Sequence, residues 1–222
     1  MSKNVVVIAP HPDDETLGCG GTILKHIKSG DSVHWIIVTR MSTERFTETQ
    51  RSRRSSEISE VANRYGFSST TILNFNAAEL NSVNLGDLID ELSQVFQRIR
   101  PEVVYSPFYG DVHTDHGWTF KAVLACTKSF RYSFIKRVLC YETISETEFG
   151  SVNGAAQFLP QVFVDVTDTF EKKMEIMKIY ASEMGEFPYP RSAEAIKSLA
   201  QLRGSTAGVK NAESFQLIRE IL

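Results

Sequence analysis

The chain has 222 residues, 42% hydrophobic and 23% charged, a balance that fits one globular domain with a substantial core. Lys+Arg total 24 against Asp+Glu 27, a formal net charge of -3, which gives no overall electrostatic footprint for nucleic acid or an anionic membrane. Cys19, Cys126 and Cys140 form no C-x-x-C pair, arguing against a disulfide framework or a thiolate zinc finger, and no apolar run approaches the roughly 18 residues of a transmembrane helix. The first apolar run, Val5 to Ala9, is too short for a signal-peptide core and is closed by Pro10, so the expected compartment is the cytoplasm.

That run is continuous and β-branched, as expected of a strand buried on both faces. A helix is predicted from about Glu15 to Ser29, stopped by Gly30-Asp31, and a second strand from Val33 to Thr39. Thr47 to Tyr65 reads as a charged helix ending at Gly66, and Thr70 to Leu73 as a short strand. Leu85 to Ile99 carries Leu88, Leu92, Val95, Phe96 and Ile99 at helical spacing and ends before Pro101. A strand at Val103 to Tyr105, a helix from Trp118 to Phe130 and a strand at Val138 to Tyr141 follow. Beyond them come a strand at Gln161 to Val166, helices at Phe170 to Met184 and Ser192 to Arg203, and an ambiguous segment at Phe215 to Ile221. Strand–helix alternation predicts an α/β fold, a Rossmann-like, doubly wound, mostly parallel sheet with helices on both faces and a C-terminal extension on the same domain, residues 1–222.

Two constellations carry chemistry. His11-Pro12-Asp13-Asp14-Glu15 follows the first strand, and His113-Thr114-Asp115-His116 follows the fourth. One Asp suffices to cap a helix N-terminus; two adjacent carboxylates repel unless a cation lies between them or they divide into different roles. Alone, His113 to His116 reads as a polar turn before the next helix. In a sheet of order 3-2-1-4-5 the first and fourth strands are neighbours at the switch point, and both motifs face one crevice. Two His and one Asp leave an open position for water, the pattern of a catalytic zinc site, and the same set fits a 2-His-1-carboxylate Fe(II) site.

The run from Ala9-Pro10-His11-Pro12-Asp13-Asp14-Glu15 through Gly18-Cys19-Gly20-Gly21, taken with His113-Thr114-Asp115-His116, resembles the PIG-L/LmbE-like metal-dependent N-deacetylases. The likeness continues in Val164-Asp165-Val166-Thr167, Pro190-Arg191-Ser192, Arg203-Gly204 and Ala212-Glu213-Ser214-Phe215. The resemblance implies that His11, Asp14 and His116 hold Zn2+, that Asp13 is the general base, and that His113 stabilises the oxyanion or protonates the leaving amine. It implies that Asp115 orients a histidine and that Arg40 contacts the substrate, with Met41 where the family has a small residue. The implied substrate is a small-molecule N-acetyl amino-sugar conjugate, and the implied assembly a homo-oligomer.

The physical logic is independent of the resemblance. An amide is a poor electrophile and water a poor nucleophile, so metal, base and oxyanion stabiliser address separate parts of the barrier, a cationic His113 serving the last. Arg45, Arg51, Arg53 and Arg54 read mostly as a solvated helix face, and His26 and His34, without acidic company in the sequence, as structural. Gly18, Gly20 and Gly21 lack nucleotide-loop spacing and suggest close packing of helix on sheet; Glu15 is expected to cap the helix or brace the metal site, and Glu142 and Glu213 are weaker pocket candidates. Two other readings remain: hydrolysis of another bond, such as a phosphoester, and a sugar- or nucleotide-binding module without turnover.

Overall fold

The structure, a computed structural model, describes residues 2–150 and 157–222. Strand β1 (Asn4–Ala9) leads into helix α1 (Asp14–Lys28), then β2 (Ser32–Arg40), α2 (Glu48–Tyr65) and β3 (Ser69–Asn76). A 3-10 turn at Leu80–Ser82 precedes α3 (Leu85–Ile99), β4 (Val103–Pro107), α4 (Thr114–Ala125) and β5 (Arg137–Tyr141). The chain closes with β6 (Val162–Asp165), α5 (Phe170–Met177), α6 (Ala193–Ala207) and β7 (Ala212–Glu220).

The sheet order is β3-β2-β1-β4-β5-β7-β6. The first five strands pair in parallel, in the 3-2-1-4-5 arrangement expected from the sequence, while β7 runs antiparallel to both β5 and β6. The β1 residues show why this run lacks polar alternation. Val5, Val7 and Ala9 pack with α1, α2, α5 and α6 on one face, and Val6 and Ile8 pack with α3 and α4 on the other. All five are fully buried, and each large side chain so buried contributes about 1.5–3 kcal/mol.

The sequence reading and the structure part at several boundaries. Helix α4 starts at Thr114 rather than Trp118 and ends at Ala125 rather than Phe130. The His113 side chain caps it, Nδ1 accepting the Asp115 N–H at 3.2 Å, a task usually given to Ser, Thr, Asp or Asn. Helix α5 stops at Met177, where tight turns at Ile179 and Tyr180 turn the chain so that Tyr180 reaches Glu15. The ambiguous Phe215 to Ile221 segment belongs to β7, whose pairing with β5 shifts register between Val138 and Leu139.

The glycines of α1 serve close packing. A Cβ at Gly18 would overlap the Tyr141 ring, and one at Gly21 would sit 2.6 Å from Val166. The helix is also gripped by a buried ion pair from the C-terminal third. Lys173 Nζ donates to Glu213 at 2.7 Å and to the Leu17 carbonyl at 2.8 Å, while Glu213 accepts the N–H groups of Gly21 and Thr22, each at 2.8 Å. No helix among the described residues is long and apolar enough to cross a membrane.

Candidate metal centre and substrate cleft

β1 and β4 are parallel neighbours, with Val5 opposite Val103 and Val7 opposite Tyr105, so the loops after them meet at one sheet edge. The β1 loop is pinned by the Pro10 carbonyl, which accepts from Thr39 N at 3.1 Å and Thr39 Oγ1 at 2.7 Å. Asp13 then takes the N-cap position of α1, but its side chain caps no backbone N–H, so simple helix capping does not account for it. Its φ of 134° is a conformation that costs a non-glycine residue on the order of 1–3 kcal/mol. The surroundings hold it there: Asp13 N donates to Glu15 Oε2 at 3.1 Å, and Glu15 Oε1 accepts from Thr16 at 2.6 Å and Tyr180 at 3.0 Å.

Asp14 occupies the first turn of α1 between two histidines. Its Oδ2 accepts the His11 N–H at 2.8 Å and lies 3.4 Å from both His11 Nδ1 and His116 Nε2. The ligating atoms of His11, Asp14 and His116 all fall within 4.8 Å of one another. The far side of each ring is held by a carboxylate, His11 Nε2 by Asp115 Oδ2 at 3.0 Å and His116 Nδ1 by Asp111 Oδ2 at 2.7 Å. This is the arrangement that fixes the orientation of metal-ligating histidines.

A second trio, His11, His113 and Asp115, is equally close-set, but Asp115 is already satisfied. It accepts from Ala78 N at 2.7 Å and Leu80 N at 3.2 Å besides His11. Asp14 Oδ1 and His116 Nε2, by contrast, are buried and without a hydrogen-bond partner. Unpaired buried polar atoms are costly, and two of them on facing side chains are what a cation would satisfy. The residues present therefore fit a metal ion at His11, Asp14 and His116.

The electrostatics agree. Burial works against a charge on His11 and His116, yet the adjoining carboxylates outweigh it: Asp115 and Asp14 push His11 up to about 9, and Asp14 and Asp111 push His116 up to about 10. Asp14 is held well below the usual carboxylate range by these two histidines, despite its burial. Asp13 moves the other way, pushed well above that range by burial and the Asp14 charge against the pull of Arg191. The two adjacent aspartates are thus divided in character. His113 is pushed down to about 4, by burial and then by the positive charge of His11. It is a neutral ring rather than the cation expected from the sequence, and since its Nδ1 accepts from Asp115 N, its proton lies on Nε2.

These groups border a cleft of about 640 Å³ whose lining includes His11, Asp13, Arg40, Met41, His113, Glu146, Glu183 and Arg191. Arg191 reaches Asp13 Oδ2 at 2.7 Å, Ser145 Oγ at 2.7 Å, Glu146 at 3.2 Å and Glu183 at 3.4 Å. Arg54, a buried member of the predicted helix-face arginines, donates to the Pro12 carbonyl at 3.1 Å and pairs with Glu183.

Asp111, Glu146 and Glu183 belong to the site and were not singled out by sequence reasoning, and Arg191 entered there only within the family-like Pro190-Arg191-Ser192 run, with no role given to it. Asp111 carried a signal, lying five residues before His116 in the loop that leads into α4; the others arrive from distant segments. Glu142 and Glu213 are not in this cleft. Glu142 forms a two-pronged pair with Arg203, at 2.8 and 2.6 Å, and Glu213 pairs with Lys173. The histidine that Asp115 contacts is His11, from the other motif. His26 does have acidic company, Asp31 at 2.7 Å, and its other nitrogen meets the Tyr105 hydroxyl at 3.0 Å; this ties the end of α1 to the sheet and remains structural.

Residues 6–127, a span containing both motifs, match the family model described as "PIG-L: GlcNAc-PI de-N-acetylase". The chain belongs to the GlcNAc-PI de-N-acetylase (PIG-L) family. Its similarity to a curated diacetylchitobiose deacetylase of Thermococcus kodakarensis is 26% identity, covering 97% of this chain and 83% of that protein. The fold is shared with the N,N'-diacetylchitobiose deacetylase of Pyrococcus horikoshii, at a TM-score of 0.78, 21% identity, and 98% and 84% coverage of the two chains. It is shared as well with a 4-carboxy-2-hydroxymuconate hydratase of Pseudomonas putida, at a TM-score of 0.76, 19% identity, and 99% and 98% coverage. A PIG-L family fold thus hosts more than one reaction, and what this chain does has to be argued from its site.

Proposed function

We propose that this PIG-L family member is a zinc-dependent N-deacetylase that hydrolyses the acetamide of an N-acetylglucosamine-type conjugate, with residues 1–222 acting as one catalytic domain in the cytoplasm. The observation that carries the reading is the pair of buried, unpartnered atoms Asp14 Oδ1 and His116 Nε2, on side chains that approach within 3.4 Å beside His11, which lines a cleft together with Asp13 and His113. His11, Asp14 and His116 would hold the ion; zinc suits hydrolysis, and Fe(II) is the other ion such a donor set takes. When bound, the ion makes water a nucleophile near neutral pH and polarises the amide carbonyl.

The chain's own groups supply the rest. Asp13 has one carboxylate oxygen on Arg191, which fixes the plane of the group and leaves Oδ1 to take the proton of the attacking water. A base so placed typically contributes about 10²–10⁴-fold. His113, neutral and carrying its proton on Nε2, donates a hydrogen bond to the oxygen that becomes negative as the carbonyl turns tetrahedral. The departing amine needs a proton, and Asp13, which has just acquired one, is the group that returns it. Asp115 and Asp111 keep His11 and His116 in the ligating tautomers, and Arg40 contacts the substrate from the end of β2.

Metal analysis followed by acetate-release assays on N-acetylglucosamine conjugates tests the reading. Acetate release that depends on the loaded metal is expected. A fully metal-loaded protein that releases none would overturn it in favour of another hydrolysis or a binding module.

A further inference from the structure

The strained conformation of Asp13 is fixed from both sides. The peptide that follows it is set by the first turn of α1, where the Asp13 carbonyl accepts from Thr16 N at 3.0 Å and Leu17 N at 2.9 Å. The peptide that precedes it is gripped at both of its polar ends: Arg54 Nη1 donates to the Pro12 carbonyl at 3.1 Å, and Asp13 N donates to Glu15 Oε2 at 3.1 Å. A peptide unit is planar, so fixing the planes on either side holds φ of Asp13 at 134°. An aspartate at an N-cap ordinarily takes extended backbone and accepts the N–H groups of its own helix. Here the carboxylate is turned away from them, to Arg191 and the cleft.

Both holders converge on one side chain. Tyr180 is fully buried in the turn after α5, outside the 6–127 span matched by the family model. Its hydroxyl donates to Glu15 Oε1 at 3.0 Å, and the Arg54 guanidinium lies over its ring, 5.5 Å from the centroid, an attractive distance for a cation on an aromatic face. Glu15 Oε1 also accepts from Thr16 at 2.6 Å, and Thr16 is held in turn by the Tyr65 hydroxyl at 3.1 Å. Arg54 is kept in place by Glu57 at 3.4 Å and by Glu183. We infer that Tyr180 is a positioning residue for the general base: through Glu15 and Arg54 it clamps the Pro12–Asp13 peptide, so that the Asp13 carboxylate faces the cleft instead of capping α1. A carboxylate as deeply buried as Glu15 needs donors in any case. That need does not explain why the same tyrosine ring backs the guanidinium that grips the other end of the peptide. The inference rests on the deacetylase reading for the task of Asp13.

Tyr180→Phe removes the hydroxyl and keeps the ring against Arg54. In the metal-loaded protein, kcat for acetate release from the methyl glycoside of N-acetylglucosamine should fall about tenfold, part of what full misplacement of a reacting group costs. KM and metal content should stay within about twofold of the parent, because neither substrate contacts nor metal ligands are touched. In an Asp13→Asn background the same change should have no further effect on the residual rate, since no base remains to be aimed. Glu15→Gln and Glu15→Ala make the comparison from the other end of the bond: Gln keeps an acceptor for Asp13 N and should retain most of kcat, while Ala should lose it. Exchange of the Asp13 amide proton, followed by NMR, reads the clamp without turnover and should quicken by about tenfold in Tyr180→Phe. An unchanged kcat in Tyr180→Phe, or an equal loss with and without the Asp13 carboxylate, would overturn the inference and leave the hydroxyl as a core partner of Glu15. A parent that releases no acetate, while its Asp13 amide loses protection in Tyr180→Phe, would sustain the clamp and defeat the deacetylase reading instead.

Discussion

Arg191 Nη1 lies 2.7 Å from Asp13 Oδ2, joining a residue of the first loop to one in the last third of the chain. The contact spans 178 positions, and its guanidinium is 14% exposed, so the pair is little screened by solvent. It orients a carboxylate whose backbone is already held at a φ of 134°. Position, strain and charge all converge on Asp13.

Asp13→Asn removes the base while preserving shape. Acetate release should fall by about 10²–10⁴-fold, with metal content unchanged. Arg191→Gln should lower kcat by a smaller factor, on the order of tenfold, by loosening the carboxylate it holds. Parallel metal analysis and kinetics check both; full activity in Asp13→Asn would remove the assigned base.

Asp111→Ala leaves His116 Nδ1 without its partner. Metal affinity should drop by about 10–100-fold, read by chelator competition, while the far-UV spectrum stays that of the parent. Thr147 donates to Asp111 Oδ1 at 2.7 Å, and Thr147→Val should give a milder loss of the same kind. An unchanged affinity in Asp111→Ala would show that His116 is not held through this carboxylate.

Metal removal should register in stability as well as in activity. A ligand at about a hundred times its Kd adds roughly 2.7 kcal/mol to a folded protein. For a chain of this size that is a rise in Tm of about 5–10 °C. Differential scanning calorimetry of chelated and zinc-supplemented protein measures it, and His116→Ala should abolish the difference. A zinc-dependent rise retained in His116→Ala would place the ion elsewhere.

The Lys173–Glu213 pair is 4% and 5% exposed at its side chains. Lys173→Met would strand the Glu213 carboxylate in the core, at a cost of about 3–5 kcal/mol. Adding Glu213→Gln should recover part of that, since the buried charge goes while the amide oxygen still accepts an α1 N–H. Urea unfolding of the single and double variants decides; a Lys173→Met loss under about 1 kcal/mol would mean that water reaches the pair.

The sequence by itself determined the parallel core and the address of the site. β1 could be read because a strand buried on both faces must be apolar throughout, and the two histidine-acid motifs could be placed together because parallel strands end at one edge. That two His and one Asp of these motifs share a site was legible from residue chemistry, while the choice of His11, Asp14 and His116 came from the family resemblance. Three things were decided by the tertiary structure. The strand β7 gains its identity from antiparallel partners that no local pattern encodes. Glu146 and Glu183 reach the cleft from segments that no sequence motif marks, and Arg191, though part of a family-like run, gains its role only by meeting Asp13 there. The division of Asp13 from Asp14, and the neutral state of His113, come from burial and from neighbours' charges. Local periodicity reports which face of an element is apolar; which charges meet across the fold depends on distances that exist only once the chain is packed.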